Sequence, residues 1–263
     1  VGFMTPMLAS VKPFFVLAIL TENDMNDGAD GQEVVLDQYL QQRALAHGKR
    51  VIGLETLTDQ IAAFPLLLDE LLDERLFESV PSRAEFEQDL RARMAGAESD
   101  DPEHEVDLLR QFQRVAVFRV AVPDLTGRLP LMKVSDRLTD IAELICAEAL
   151  SMSWAQIVAR HGVPQFGPDE SGLREAGLIV VAYGKFGGIE LGYGSDLDLV
   201  FLHDAPADAS SDGARPLDAG RYFARLAQRL VSLLGTVTGA GKLYEVDVRL
   251  RPDGAKGMLV SSV

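Results

Sequence analysis

Asp196 and Asp198 stand two residues apart, directly after Gly194-Ser195 and just before the apolar run LVFL. In an extended strand, side chains at i and i+2 point to the same face, so these two carboxylates are held side by side. They repel each other unless a cation neutralises them, and Mg²⁺ usually takes one or two carboxylates together with substrate phosphates. The chemistry this points to is metal-assisted transfer of a nucleotidyl or phosphoryl group. The same spacing also occurs on solvated strand faces that hold no ion. Here the preceding Gly-Ser and the apolar strand end favour the metal.

The elements that must position this pair are two short strands. Leu178–Ala182 is a continuous apolar, β-branched run, the pattern of a strand buried on both faces, and Leu197–Leu202 alternates into the second. Gly184, Gly187, Gly188, Gly192 and Gly194 lie between them. Such a turn lets backbone approach a ligand closely and lets N–H groups converge on phosphate. A later strand is predicted over Tyr244–Pro252, with Asp247 in its middle, Arg249 and Arg251 after it, and Pro252 ending it. Other chemistries lack their residues. Gly184-Lys185 is not part of a G-x-x-x-x-G-K-[ST] loop, and neither G-x-G-x-x-G nor G-x-S-x-G occurs. Ser195 therefore reads as a turn residue whose backbone and hydroxyl meet phosphate rather than as a nucleophile.

Gly194-Ser195 followed by Asp196-x-Asp198 resembles the signature of the polymerase-β-like nucleotidyltransferases, whose third carboxylate sits on a later strand; Asp247 is the candidate. The longer set, VAYGKFGGIELGYGSDLDLVFLHD with YEVDVRLRPDGAKGMLVSS, resembles the glutamine synthetase adenylyltransferase (glutamate-ammonia-ligase adenylyltransferase) family. The resemblance implies an α+β fold, a helical region followed by a mixed nucleotidyltransferase sheet with helices, here expected to be cut short at the C-terminus. It also implies a site. Asp196, Asp198 and Asp247 are its catalytic and Mg²⁺-binding residues, with Gly184, Lys185, Gly194, Ser195, Arg249 and Arg251 around ATP. In that reading the carboxylates hold Mg²⁺ on the ATP phosphates and activate an acceptor hydroxyl for in-line attack on the α-phosphorus, and pyrophosphate leaves. The implied acceptor is a tyrosine hydroxyl of glutamine synthetase, in nitrogen assimilation, with a nitrogen-signalling protein as a further partner. Family members carry one domain that adds AMP and one that removes it by phosphorolysis. GYGSDLDL and YEVDVRLRP resemble the adding domain, while the metal chemistry is alike in both directions. The competing reading is an inactive fusion or fragment that at most binds ATP or protein.

Composition narrows the field. With 40 acidic against 25 basic residues among 263, the chain carries a net charge of −15, which disfavours nucleic acid and anionic membrane as partners. The single Cys146 cannot form an internal disulfide, which fits a cytoplasmic protein. His47, His104, His161 and His203 lack zinc spacing. The apolar run Phe14–Leu20 is too short for a bilayer and lacks the flanks of a signal peptide.

Three segments are expected. Residues 1–64, with VVLDQYLQQRALAHGKRVIGLETLTDQIAAF, resemble part of the TraB/GumN family, although its Gly-x-x-His motif is missing; Glu55 and Gln60 read best as a capping acid and a solvated polar residue. A seam near Phe64-Pro65 leads into residues 65–165, a helical platform that carries no catalytic residue, and few contacts are expected to cross it. Residues 65–110 contain 14 acids against 5 bases, read as solvated helix faces. Helices are predicted over Pro81–Arg93, around Leu108–Arg119 with one buried side, and over Arg137–Arg160 with Ser135 or Asp136 as cap and Gly162 as stop. Residues 166–263 form the nucleotidyltransferase part. HGVPQFGPDESG is read as a linker and Ala205–Pro216 as a mobile loop. A helix over Ala219–Leu234 is capped by Asp218, and its Arg221, Arg225 and Arg229 form either a phosphate clamp or a solvated basic face.

Overall fold

Residues 79–96, 102–169, 172–206, 208–237, 241–250 and 257–263 are described by the computed structural model. The expected segment 1–64, the seam at Phe64-Pro65 and Arg251 lie outside them. In chain order the elements are α1 (Arg83–Ala95), α2 (Pro102–Leu125), α3 (Leu131–His161), β1 (Pro164–Asp169), β2 (Gly172–Glu175), β3 (Leu178–Tyr183), the single turn α4 (Gly184–Gly187), β4 (Leu197–His203), β5 (Ser210–Ser211), α5 (Ala219–Gly235), β6 (Val246–Asp247) and β7 (Val260–Ser262). This is an α+β arrangement, as expected. The chain divides into two compact units, Val1–Pro81 with Val115–Val134, and Ser82–Arg114 with Ser135–Val263.

Within the first unit, the end of α2 turns at Gly127, where the Arg128 and Leu129 N–H groups donate to the Pro123 carbonyl. Pro123 lies inside the helix rather than ending it. Buried Val115, Ala116, Phe118, Val120 and Val122 cover more than the single stripe expected of this segment. The helix α3 starts at Leu131, six residues before the expected Arg137, because the Pro130 carbonyl accepts the Lys133 and Val134 N–H groups. Ser135 and Asp136 are therefore interior residues. Exposed Leu131 and Met132 gave no periodic signal for this first turn.

The second unit contains the rest of the helical region and both sheets. Ser82 caps α1 in a capping box with Glu85, which satisfies orphan N–H donors reciprocally. Arg83 reaches Asp140 and Glu143 on α3. Leu138, Ile141, Ala142, Ile145, Ala149 and Met152 are the buried face of α3, as their spacing predicts. By length and composition alone α3 is apolar enough to cross a membrane, but these side chains lie inside the fold.

The larger sheet has the order β3-β4-β6, with β7 also beside β4. Strand β4 is antiparallel to β3 and parallel to β6 and β7. Paired on both sides, β4 is the central strand, with Leu197, Leu199, Val200 and Phe201 buried. The strand β3 is an edge, and Ile179 is 44% exposed, so its continuous apolar run does not mean burial on both faces. The helix α5 packs Tyr222, Phe223, Leu226, Leu230, Leu233 and Leu234 inward, each buried, with Asp218 accepting from the Arg221 N–H as its cap. At roughly 1.5–3 kcal/mol for each large apolar side chain buried, this face is a major part of the unit's core.

Two segments expected to be irregular are structured. The linker contains β1, which pairs with β2 just beyond it, and the supposed mobile loop contributes β5, which pairs with β1 at Pro164↔Ser211 and Gln165↔Ser210. The strands of this small sheet are joined by antiparallel backbone pairing. A knot beside it fixes the end of α3. Gly213 N donates to the His161 carbonyl, Val163 N donates to the Asp212 carboxylate (2.8 Å), and the Tyr222 hydroxyl donates to the Gly162 carbonyl (3.0 Å). A Cβ on Gly162 would lie 2.2 Å from Asp212 Oδ1, and φ there is +71°.

At the far end of β4, His203 is buried and stacks on Phe223 with ring centroids 4.9 Å apart. Burial lowers its pKa, opposed by the Ala205 backbone and Asp204. The folded state thus binds this proton less readily than the unfolded state. The resulting stability is fully present above the unfolded value of about 6.5 and is lost as pH falls below it toward the depressed folded value. Thermal melts between pH 8 and 5 should show this loss, and His203→Gln should flatten the slope across that range.

Candidate active site

The register of β4 against its neighbours brings three carboxylates together. Asp198 is directly opposite Asp247 across the parallel β4–β6 pair, and Asp196 lies two residues before Asp198, one residue ahead of the strand. The pleat then turns all three side chains to one side. Carboxylate oxygens of Asp196, Asp198 and Asp247 lie within 4.8 Å of one another, although 49 residues separate Asp198 from Asp247 in the sequence. Asp196 is exposed and the other two are half-buried. Among the described residues this is the group of metal-ligating side chains that converges in this way.

The strand carrying Asp247 is shorter than expected. It ends at Asp247, not near Pro252, because the carboxylate accepts the Arg249 N–H (2.8 Å) in an Asx-type turn that bends the chain off the sheet. The guanidinium of Arg249 also binds that carboxylate. Its Nε donates to Oδ1 (3.0 Å) and Oδ2 (2.8 Å), and its Nη2 donates to Oδ2. These hydrogen bonds hold the Asp247 pKa below the usual carboxylate range. Asp247 in turn raises the Arg249 pKa, and Asp196 and Asp198 add to it through space. The cluster thus draws positive charge to itself. Its donor set is three hard, anionic oxygen ligands with no sulfur or imidazole among them, which fits Mg²⁺ better than zinc.

The glycine-rich turn lies against this cluster. Tyr183 pairs with Asp198, and Gly184 follows with φ +55°. A Cβ at Gly184 would lie 2.1 Å from Asp198 Oδ2, so only glycine leaves the carboxylate where it is. Lys185 is exposed on α4, whose start at Gly184 the sequence did not reveal as helical. Ser195 closes the turn, since its N–H donates to the Gly192 carbonyl and its hydroxyl accepts the Gly192 N–H (3.1 Å). Its hydroxyl proton remains the donor it can offer, because its backbone N–H is engaged. Gly194 is exposed at the tip.

On α5, Arg221 pairs with Asp218, Arg225 lies 3.2 Å from His161 Nε2, and Arg229 donates to Gln156 (2.7 Å); all three are exposed, which fits the solvated basic face rather than the phosphate clamp. Two residues missed from the sequence hold the connection that leads to β6. Buried Arg110 donates through Nη2 to the Thr236 carbonyl (2.9 Å), and Gln113 donates to the Leu243 carbonyl (2.5 Å). They pin both ends of the connection that delivers β6. Arg110 could have been suspected as a lone cation among the apolar positions of α2, and Gln113 left no signal. Trp154 packs edge-on against Tyr222, with ring centroids 5.9 Å apart.

If this geometry is what holds a cation, Gly184→Ala should weaken Mn²⁺ binding at least about tenfold by displacing Asp198. It should also lower stability by about 1–2 kcal/mol through left-handed strain and overlap. Calorimetric titration and chemical denaturation would check the two effects separately.

The family described as glutamate-ammonia ligase adenylyltransferase matches residues 49–263. A curated relative from Pseudomonas putida is 49% identical over 207 residues, covering 79% of this chain and 21% of its own length. Others from Pseudomonas syringae pv. tomato and Nitrosococcus oceani are each 50% identical and also covered over 21% of their length. All three are named bifunctional glutamine synthetase adenylyltransferase/adenylyl-removing enzyme. The chain spans about a fifth of the length of these relatives, and the range matched by the family model, residues 49–263, takes in the helices, the glycine turn and the three aspartates. On that match the chain belongs to the glutamate-ammonia ligase adenylyltransferase family.

Proposed function

We propose that this chain carries a Mg²⁺-dependent nucleotidyltransferase site that moves AMP from ATP to a tyrosine hydroxyl of glutamine synthetase. The observation that carries this reading is the convergence of Asp196, Asp198 and Asp247 beside a glycine turn that leaves room for Asp198 alone. Asp196, Asp198 and Asp247 would hold Mg²⁺, which when bound neutralises phosphate charge and makes the acceptor hydroxyl a better nucleophile. The half-buried position of Asp198 and Asp247 keeps their oxygens fixed while exposed Asp196 leaves the site open to a large protein acceptor. The Ser195 hydroxyl proton and Lys185, with Gly184 and Gly194 allowing close backbone approach, orient the phosphates. Arg249 supplies a cation to them, and Arg251 is assigned the same role from its place in the motif. In-line attack forms the bond from tyrosine oxygen to the α-phosphorus and breaks the bond to pyrophosphate, which leaves with the electron pair, while the hydroxyl proton is released to solvent.

The relatives' names include an adenylyl-removing activity, and the same three carboxylates serve phosphorolysis of tyrosyl-AMP equally well. We assign the adding direction from the resemblance of GYGSDLDL and YEVDVRLRP to the adding domain. Glutamine synthetase as protein substrate, a nitrogen-signalling protein as regulator, and a cytoplasmic location belong to the same proposal, as does the division into residues 1–64, 65–165 and 166–263. The net charge of −15 supports a protein rather than a nucleic-acid or membrane partner.

Asp198→Asn should reduce AMP transfer from ATP to glutamine synthetase by about three orders of magnitude, the scale of charge stabilisation at such centres. Its thermal stability should be unchanged or higher, because one of three mutually repelling charges is removed. Labelled-ATP transfer assays, run with phosphorolysis of adenylylated glutamine synthetase in parallel, measure both directions. A wild-type chain that binds Mg-ATP but transfers nothing would support the reading as a binding fragment instead.

A further inference from the structure

We propose that Arg249 is a displaceable latch on Asp247. Its guanidinium occupies both carboxylate oxygens until a divalent cation takes them, and once released it turns to the phosphates of the nucleotide. The inference rests on the metal reading of the carboxylate cluster and adds an order of events to it.

Three observations carry it. First, Arg249 Nε donates to both oxygens of Asp247 and Nη2 donates to one of them, so a cation ligated by Asp247 must share or displace the guanidinium. Second, the anchor and the latch are separate bonds. The backbone N–H of Arg249 also donates to Oδ1 (2.8 Å), and the strand pairing of Asp247 with Asp198 is independent of the arginine side chain. Release of the guanidinium therefore leaves the carboxylate aimed at its partners. Third, the Arg249 side chain is 83% exposed while that of Asp247 is 14% exposed. Breaking this pair strands no buried cation, and exposed ion pairs are weak enough for a metal to compete.

The exchange also has a simple charge logic. Three carboxylates within 4.8 Å need a counter-charge in every state. Arg249 supplies it before the cation arrives. Afterwards, the cation supplies it and the guanidinium is free for phosphate, which its planar fork suits well. Nucleotide would then be gripped fully only at a metal-loaded site.

The test compares the full chain with Arg249→Gln and Arg249→Lys, following Mn²⁺ binding by electron paramagnetic resonance, alone and with a non-hydrolysable ATP analogue. Circular dichroism confirms that the variants fold. Arg249→Gln should bind Mn²⁺ alone roughly three- to tenfold more tightly than the wild type, given the strength of an exposed pair. Arg249→Lys should also bind it more tightly, since an ammonium cannot fork across both oxygens. Both variants should bind the metal–nucleotide complex more weakly. Equal or weaker Mn²⁺ binding by Arg249→Gln overturns the latch, as does Arg249→Lys behaving like wild type, because net charge alone would then explain the gain. Unchanged nucleotide affinity in both variants overturns the phosphate destination. A wild-type chain that binds no Mn²⁺ removes the metal centre itself, a result distinct from all of these.

Discussion

Asp198 and Asp247 face each other across a parallel strand pair, with Asp196 beside them, and this crowding of like charge is the constraint around which the rest is arranged. Left alone it is unfavourable, because neighbouring carboxylates raise one another's pKa or push apart. The fold holds the carboxylates in place against that repulsion. The central position of β4 fixes Asp198 through pairing on each side, and the Asx-type turn at Arg249 fixes Asp247. Gly184 then closes over Asp198 at a distance that excludes any side chain. What remains is a demand for positive charge, met by the guanidinium of Arg249.

Rigidity behind the cluster comes from packing that carries no chemistry. The helix α5 lays a continuous apolar face within the second unit, and its C-terminal connection toward β6 is tied to α2 by Arg110 and Gln113. Arg110 is buried, and desolvation lowers its pKa against the pull of Asp107. A long, buried cation that binds a backbone carbonyl is a demanding way to hold a loop, because loss of the side chain leaves that carbonyl unsatisfied. Its placement couples the helical region to the position of the third carboxylate. Similarly, the knot of Gly162, Gly213, Asp212 and Tyr222 joins the end of α3 to the loop before α5. The helical region carries no residue of the carboxylate cluster, and its bonds go to the segments that connect the catalytic strands and α5.

The sequence by itself determined the parts whose signals are local. Asp196 and Asp198 had to share a face because the strand period is two, the buried stripe of α3 followed from its 3.6-residue spacing, and Asp218 announced the start of α5 by its capping chemistry. The motif around Asp247 suggested that it belonged with the pair. Tertiary structure alone decided what depends on neighbours distant in the chain. Apolar content could not tell edge β3 from central β4, since strand composition reports side-chain chemistry and not which strands pair alongside. The β1–β2–β5 sheet stayed hidden because its segments, PQFGPD, GLRE and SS, show no apolar alternation in the sequence. The roles of Arg110, Gln113 and the α5 arginines were equally illegible, because a polar side chain's partner is chosen by packing in three dimensions. The register that sets Asp198 against Asp247 belongs to this second group: a shift of one residue would have sent a carboxylate to the other face, and only the folded sheet excludes it.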